Sequence, residues 1–226
     1  MRYLFLSCGT SPEINEQSAA SFCLDQLGYP ASTSKRALCK EHSSAHLSLY
    51  YLHSDDASAE RQSPYSQNSK LWALLDGEIF NLDSVSTGFS ERVQQTDGTD
   101  TADVILALYQ AHGMTFLDKL QGRFALIIID HAAKTVLLYR SCLGQVPLYY
   151  HASSERIIAS SEERAIVAHP AVDIDVNASM LASVFSLNSS HPVGQTAFTK
   201  VSELLPGQCL ISVSYTHLRA HETSLP

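Results

Sequence analysis

Hydrophobic residues recur with strand periodicity through the second half of the chain. Four segments rich in β-branched and aromatic residues follow one another there: RFALIIID, TVLLYRS, PLYYHA and RIIAS. Short polar segments such as HAAK and SSE separate them, which predicts an antiparallel meander. Residues 127–129 are all isoleucine, and so continuous an apolar run leaves no face for water. We therefore expect other layers of structure to cover this sheet on both sides.

A helix is predicted from the stretch GTDTADVILALYQAHG. Thr99 or Asp100 can cap its first turn, and Gly113 ends it. Apolar residues recur with a period of about 3.6 residues, which gives the helix a face towards the core. The residues expected on that face are Val104, Ile105, Leu108 and Ala111.

Three shorter helices are also expected. Residues 115–120 and 178–185 carry two of them, and SSEERAIVAHP carries the third. In that third stretch Ser160 and Glu163 have the spacing of a capping box, and Pro170 ends the helix.

The first half of the chain contains further strand patterns. Residues 3–7 form an aromatic and aliphatic run, and HLSLYYLH alternates between apolar and polar residues. In LWALLDGEIFNL an Asp-Gly pair separates two apolar runs, which predicts a hairpin turn at Asp76 and Gly77. A final strand follows Pro206 and Gly207. These elements predict an α+β fold of antiparallel sheets with helices outside them.

Residues 214–226 break these patterns because they show little apolar periodicity. They resemble translated read-through at the end of an incomplete reading frame, so we exclude them from the predicted fold. The sequence thus predicts one domain over residues 1–213 and a non-native or disordered tail over residues 214–226, with the natural protein continuing further.

Composition indicates a globular protein and argues against some classes of partner. Fifteen Lys+Arg against 23 Asp+Glu give a net charge of -8, which argues against a nucleic-acid partner. The 5 cysteines form no CxxC pair, so we expect reduced thiols in a cytoplasmic protein rather than a disulfide frame or a metal site. No segment approaches the ~18 consecutive apolar residues of a membrane span, so no membrane partner is expected.

Five motifs follow one another over about residues 71–212. They are DGEIFN, GTDTADVILALYQAHG, LQGRFALIIIDHAAKTVLLYRSCLGQVPLYY, IIASSEERAIVAHP and LLPGQ. Together they resemble the N-terminal domain of asparagine synthetases, a class II glutamine amidotransferase of the N-terminal-nucleophile (Ntn) type. The resemblance implies a four-layer αββα sandwich of two antiparallel sheets. It also implies glutamine, or another amino acid, as the ligand.

The resemblance further implies a cysteine nucleophile at the start of the mature chain. The free α-amino group of that cysteine, with a pKa of about 7.7–8, would serve as base for its own thiol. This chain has Arg2 after Met1, and so bulky a residue blocks removal of Met1. Cys8 and Gly9 match the expected Cys-Gly pair, but the predicted strand precedes Cys8 instead of following it. Cys8 is therefore a weak candidate nucleophile that needs cleavage of a leader, or else a buried or strand-end thiol.

Two more positions depart from what the resemblance implies. Asp76 stands where an asparagine side chain, with the amide of Gly77, would form an oxyanion hole. An ionised carboxylate only accepts hydrogen bonds and would repel the negative charge that develops there. His46 is nearest to the position of an arginine that would bind the carboxylate of glutamine, and it lacks the bidentate guanidinium.

Gly77, Glu78 and Asp100 keep the residue types that the resemblance implies. It implies that Glu78 and Asp100 bind the amino-acid end of glutamine. Asp100 is also a good helix N-cap, and Glu78 is equally suited to a solvated turn. The predicted substrate-binding set is thus Asp76, Gly77, Glu78 and Asp100, and the catalytic set is empty apart from the weak candidate Cys8.

Three functions are open at this point. The first is an impaired or inactive amidotransferase-like domain of an ATP-dependent, amide-forming ligase related to asparagine synthase. The resemblance implies that ATP and Mg²⁺ would bind a synthetase domain continuing the chain in cis, since neither an SGGxDS nor a GxxxxGK[ST] loop occurs here. The second is a working glutaminase exposed by cleavage before Cys8. The third is a non-catalytic module that binds an amino acid or docks a partner.

Overall fold

The computed structural model describes residues 2–9, 40–42, 46–53, 65–67, 70–89, 101–186, 193–213 and 217–222. The strands are β1 (Arg2–Gly9), β2 (Lys40–His42), β3 (His46–His53), β4 (Tyr65–Gln67), β5 (Leu71–Ile79), β6 (Gly122–Asp130), β7 (Thr135–Arg140), β8 (Tyr149–Ala152), β9 (Arg156–Ser160), β10 (Ser202–Glu203), β11 (Gln208–Val213) and β12 (His217–Glu222). The helices are α1 (Leu82–Phe89), α2 (Thr101–His112), a 3-10 helix (Leu117–Lys119), α3 (Glu163–Val167) and α4 (Ala178–Phe185). None of these helices has the length and apolarity needed to cross a membrane.

The chain divides into two compact units, each of which contains one antiparallel sheet. The first unit comprises Met1–Ser54, Pro147–Leu205 and Tyr215–His217, and its sheet has the strand order β10-β8-β9-β1-β3-β2. The second comprises Asp55–Val146, Pro206–Ser214 and Leu218–Pro226, and its sheet has the order β12-β11-β7-β6-β5-β4. The predicted fold class, α+β with antiparallel sheets, is confirmed.

In the first unit, one face of the sheet packs against α3 and the segments that follow it. Side chains alternate between the two faces of a strand, so Phe5 and Ser7 lie on this face while Leu4, Leu6 and Cys8 lie on the other. The buried residues of this cluster are Phe5, Ile158, Ala165, Ile166, Val172 and Val201.

In the second unit, α2 covers one face of the sheet. Ile105 and Leu108 are fully buried there, as predicted, and Val104 packs at the edge of the cluster. Ala111 was expected on the buried face but is exposed, whereas Ala102 and Leu106 are buried. The buried face is thus centred nearer the start of the helix, and the last turn of α2 extends past the core.

The predicted hairpin turn at Asp76 and Gly77 is wrong. β5 continues through both residues, and each of its 9 residues has a partner on β6. An Asp-Gly pair satisfies the local requirements of a two-residue turn, but the long ladder with β6 keeps the whole segment extended instead.

The predicted meander is correct for two separate pairs of strands but not for the connection between those pairs. β6 pairs with β7 and β8 with β9, yet β7 and β8 belong to different sheets. Arg140, the last residue of β7, donates hydrogen bonds from Nε to the Val146 carbonyl at 3.0 Å and from Nη2 to the Gly144 carbonyl at 2.6 Å. These bonds give the connection after β7 a fixed structure of its own, so it does not form a tight turn into β8.

The predicted capping box is also absent. Ser160 is the last residue of β9, and its hydroxyl donates to the Leu4 carbonyl at 2.9 Å and accepts from the Glu162 amide at 3.1 Å. Glu162 is the N-cap of α3 and makes no side-chain capping bond. The serine is therefore used to fix β9 against β1 rather than to start the helix.

The backbone of residues 217–222 forms β12 beside β11 at the edge of the second sheet. Residues 214–226 were expected to lie outside the fold as a tail. The domain boundary at residue 213 stays a prediction.

Candidate functional site

The end of β5 brings together three of the predicted binding residues, Asp76, Gly77 and Glu78. Gly77 lies opposite Phe124 of β6 and has a φ of 104°. A Cβ atom at this position would overlap the carbonyl oxygen of Arg123 and lie 2.8 Å from the Cα of Phe124. Only glycine fits this close approach of two strands.

The amide of Gly77 is directed away from β6, because bonded and non-bonded pairs alternate along an antiparallel ladder. Phe124 bonds on its β7 side: its carbonyl accepts from the Ser141 amide at 3.0 Å, and its N–H donates to Ser141 Oγ at 3.1 Å. The Gly77–Phe124 pair is therefore a non-bonded one. The Gly77 N–H is directed to the side of β5 away from β6, the side on which β4 pairs with Trp72, Ala73 and Leu74.

Asp76 is a buried carboxylic acid next to this amide, with only 8% of its surface exposed. Strand alternation places its side chain on the face of Trp72 and Leu74, opposite the face that α2 covers. In its ionised form the side chain has acceptors and no donor. The predicted oxyanion-hole role of Gly77 and Asp76 stays a prediction, and an ionised Asp76 would lack the donor that such a hole needs.

Glu78 lies directly opposite Arg123 on β6. Its Oε2 is 3.5 Å from Arg123 Nη2, and the two side chains are 50% and 58% exposed. Glu78 is thus a strand residue in a cross-strand ion pair, not the solvated turn residue that its sequence allowed. Arg123 was missed by sequence reasoning, because its position opposite Glu78 depends on the strand register.

Asn81, the last residue of the DGEIFN motif, fixes the exit of β5. Its side-chain amide donates to the Lys119 carbonyl at 2.8 Å, and its Oδ1 accepts from the Gln121 amide at 2.8 Å. The Phe80 amide donates to the Gln121 carbonyl at 2.8 Å. These bonds hold the end of β5 to the segment that enters β6, so Asn81 has a structural role.

The loop after β7 joins two of the motifs. Gly144 has a φ of 60°, and a Cβ atom there would lie 2.6 Å from Pro206 Cγ of the LLPGQ motif. The Gly207 amide donates to the Arg140 carbonyl at 3.1 Å. Residues of these two motifs therefore meet in one contact of the second unit, which has a structural role.

Cys8, the weak candidate nucleophile, lies within β1 and has no exposed surface. It pairs with Leu47 of β3 on one side and with Ile157 of β9 on the other. Its nitrogen is a peptide amide inside a sheet and cannot accept a proton as a free amine would. The buried-thiol alternative for Cys8 is the one that agrees with this placement.

A buried serine and histidine lie in contact elsewhere in the first unit. Ser7 Oγ is 3.2 Å from His169 Nε2, and His169 Nδ1 accepts a hydrogen bond from the Ala171 amide at 3.1 Å. Because Nδ1 is the acceptor, the proton of the neutral ring is on Nε2, which donates to Ser7. The ring has no lone pair directed at Ser7, so this pair does not form a nucleophile and its base.

Asp100 lies outside the described residues, and its predicted role in binding stays a prediction. His46 begins β3, but its side chain is outside the described part. In that part, no three His, Cys, Asp or Glu side chains are grouped to hold a metal ion.

Cys209 and His151 are among the groups away from β5 whose pKa is shifted. Burial raises the pKa of Cys209 to about 12, and the charge of Asp118 adds to this. Burial also lowers the pKa of His151, and the charges of His169, Lys200 and Arg156 act in the same direction against a hydrogen bond to the Lys200 carbonyl. Both groups are held uncharged at neutral pH.

Comparison with known proteins identifies the same class of domain. The sequence pattern of the glutamine amidotransferase domain matches residues 34–222. Glutamine-hydrolyzing asparagine synthetase B of Escherichia coli (strain K12) is 36% identical over 113 residues, which are 50% of this chain and 20% of that protein. Glutamine-hydrolyzing asparagine synthetase 3 of Bacillus subtilis (strain 168) is 27% identical over 137 residues, or 61% of this chain and 22% of that protein. The chain thus spans about a fifth of the length of these relatives.

Solved structures show the fold. Glutamine phosphoribosylpyrophosphate amidotransferase of B. subtilis, complexed with ADP and GMP, aligns with a TM-score of 0.58 at 15% identity. The alignment covers 99% of this chain and 50% of that chain. The Ntn-type amidotransferase fold implied by the five motifs is therefore confirmed. Because the domain pattern also covers most of the sequence, the chain belongs to the family of glutamine amidotransferase domains.

Proposed function

We propose that this chain is the N-terminal amidotransferase-like part of an amide-forming ligase related to asparagine synthase. In this proposal the chain binds an amino acid but is impaired or inactive as a glutaminase. The observation that carries the proposal is the buried side chain of Asp76 next to Gly77, at the position where the resemblance implies an asparagine donor.

Hydrolysis of glutamine passes through a tetrahedral intermediate whose oxygen becomes negatively charged. In this proposal the oxygen would lie next to Asp76 and Gly77, and an ionised Asp76 could only repel it. Loss of one oxyanion donor costs about 10²–10³ in rate, and a repelling charge adds to that cost.

The placement of Cys8 also supports impaired hydrolysis. A working glutaminase would need Cys8 at a free N-terminus, which requires removal of residues 1–7. That cleavage would take away Leu4, Phe5 and Leu6, each at most 1% exposed. The loss of three core side chains and of most of β1 argues against the alternative of an active enzyme exposed by cleavage.

A further domain in the same protein is part of the proposal. Related asparagine synthetases are about five times longer than the matched region, and ATP with Mg²⁺ would act in such a domain. Helix α4 contains no charged residue and none of its side chains is buried, with Phe185 81% exposed. Exposed apolar surface of this kind is typical of an interface. The protein would be cytoplasmic.

The test is release of glutamate from glutamine by the purified chain, with a Cys8→Ala variant as the matched control. We expect the chain and the variant to release glutamate at the same background rate. Release that is well above background and is abolished by Cys8→Ala would contradict the proposal and establish a working glutaminase.

A further inference from the structure

We propose that residues 195–204 form a strap that is closed over the first sheet at neutral pH and released from it in acid, with His151 as the proton-sensitive contact. The strap follows α4 in the chain and contains β10, the strand at one edge of the first sheet. The inference is independent of the proposed function, since it involves none of the candidate site residues on β5.

The strap is a compact segment with hydrogen bonds of its own. The hydroxyl of Thr196 donates to the Val201 carbonyl at 2.8 Å and accepts from the Phe198 amide at 3.1 Å. Val201 is buried in the core cluster that contains Ile158 of β9. The strap can therefore move as one unit, and its movement would open that cluster to water.

A short ladder and one side chain hold the strap to β8. β10 is only two residues long and pairs with Tyr149 and Tyr150 of β8. In the middle of the strap, the Lys200 carbonyl accepts a hydrogen bond from Nδ1 of His151 at 2.8 Å. A short edge strand opens at a lower free energy than the core of a sheet, so loss of this one contact is enough to shift the strap towards release.

His151 lies among positive groups and away from water. It is 7% exposed, and its cross-strand partner on β9 belongs to the core cluster. The groups whose charges act against a proton on its ring are Arg156 on β9, His169 after α3 and Lys200 on the strap. The carboxylate that interacts with His151 is that of Asp173, which is exposed and already paired with Lys200.

A second proton gives the His151 ring a positive charge that is unfavourable in the closed state. Burial is the main cause and the neighbouring positive groups add to it, so the pKa of His151 is lowered from 6.5 in spite of the bond to the Lys200 carbonyl. Release of the strap would let water reach the ring and return its pKa towards 6.5. Acid therefore favours the released state, because that state binds the proton more readily.

Hydrogen exchange of single amides, followed by NMR at pH 7.5 and pH 5.5, tests the inference. The Leu204 amide donates to the Leu148 carbonyl at 2.8 Å, so it reports whether the strap is closed. Protection factors correct for the effect of pH on intrinsic exchange. We expect Leu204 to lose protection by about three- to tenfold at pH 5.5, since one proton shifts the equilibrium by at most about tenfold per pH unit. The amides of β9 should keep their protection.

One variant assigns the effect to His151. His151→Asn keeps a donor for the Lys200 carbonyl but does not titrate, so Leu204 should be equally protected at both pH values. His112→Asn is the matched control, because it removes a histidine from α2 in the second unit, and the loss at pH 5.5 should remain.

A measurement on the unchanged chain decides the case in which His151→Asn does not fold. The loss of protection at Leu204 should begin near pH 6.5 and level off below the pKa that the His151 ring shows in the same spectra. A loss that does not follow this ring overturns the inference.

Three other results would also overturn it. They are an unchanged protection of Leu204 between the two pH values, a loss that persists in His151→Asn, and an equal loss in β9, which would mean that the whole first unit opens. Since glutamine is absent from these measurements, their outcome is separate from that of the glutamate-release test.

Discussion

At the residue scale, Gly77 combines two separate requirements for glycine. Its φ of 104° is unfavourable for any residue with a Cβ atom, and the backbone of Arg123 and Phe124 occupies the space that a Cβ would need. The same ladder directs the Gly77 amide away from β6. A substitution here would therefore damage both the fold of the second unit and its candidate site.

Gly77→Ala should lower the free energy of unfolding by at least about 3 kcal/mol, because conformational strain is joined by overlap with backbone atoms. Gly113→Ala is the matched control: Gly113 has a φ of 62° but no atom within 4 Å of the added Cβ. It should cost only about 1–2 kcal/mol, the strain of a left-handed residue. Urea denaturation of both variants measures the difference, and equal losses would show that the close approach of the strands is unimportant.

His151 should make the stability of the first unit depend on pH. Its folded pKa lies below the ordinary value of 6.5, so the unfolded state binds more protons at acid pH. The stabilisation by neutral His151 is therefore complete above about pH 6.5 and is lost as the pH falls below that value.

The test compares thermal unfolding at pH 7.5 and pH 5.5 for the chain and for His151→Asn. In the chain, His151 Nδ1 donates to the Lys200 carbonyl at 2.8 Å, and the asparagine amide can replace that donor without titrating. The variant should lose less stability between the two pH values than the unchanged chain. The same loss in both would mean that other groups cause the pH dependence.

At the element scale, the end of β5 is defined by Asn81 and not by a turn. The two hydrogen bonds of this side chain join the exit of β5 to the residues before β6. They hold β5 and β6 in the register that brings Glu78 opposite Arg123.

Asn81→Ala should lower the free energy of unfolding by about 1–3 kcal/mol, because it removes both bonds and leaves backbone partners unsatisfied. Ser86→Ala, which removes one exposed hydroxyl bond to the Asp83 carbonyl on α1, should change it by less than about 0.5 kcal/mol. Urea denaturation checks both values. A loss in Asn81→Ala no larger than in the control would contradict the structural role of this side chain.

Element types could be predicted from sequence wherever periodicity was strong. β6, β7, β9 and α4 begin and end close to the predicted residues, because each has a local apolar pattern of its own. Sheet membership could not be predicted in the same way. The separation of β7 from β8 depends on hydrogen bonds from Arg140 to the loop that follows it. The spacing of apolar residues along the sequence does not predict such bonds.

The candidate site was predictable only in part for the same reason. The DGEIFN motif identified Asp76, Gly77 and Glu78 as candidate site residues. It also predicted a turn, which long-range pairing with β6 excludes. Arg123 has no sequence signal, since its neighbour Glu78 lies far away in the chain. Residues joined by register are found only once the ladder is known.

At the scale of the whole molecule, β1 is an interior strand of the first sheet. It lies between β9 and β3, so strands on both of its sides depend on it for their pairing. The beginning of the described chain is thus part of the core of the first unit and not a dispensable extension.

Removal of residues 1–7 should prevent folding of the first unit, because it takes away three buried apolar side chains, the buried Ser7 and most of the β1 ladder. Circular dichroism and limited proteolysis measure the effect, with full-length Cys8→Ser as the folded control. A truncated chain that unfolds cooperatively and releases glutamate would contradict the proposed function and support activation by cleavage.

The contact between Gly144 and Pro206 ties together two positions that are distant in sequence. A Cβ at position 144 would lie 2.6 Å from Cγ and 3.0 Å from Cβ of the proline ring. Position 144 therefore cannot gain a side chain while Pro206 is unchanged. We therefore expect the two positions to change together, so that a homologue without glycine at the first position also lacks proline at the second.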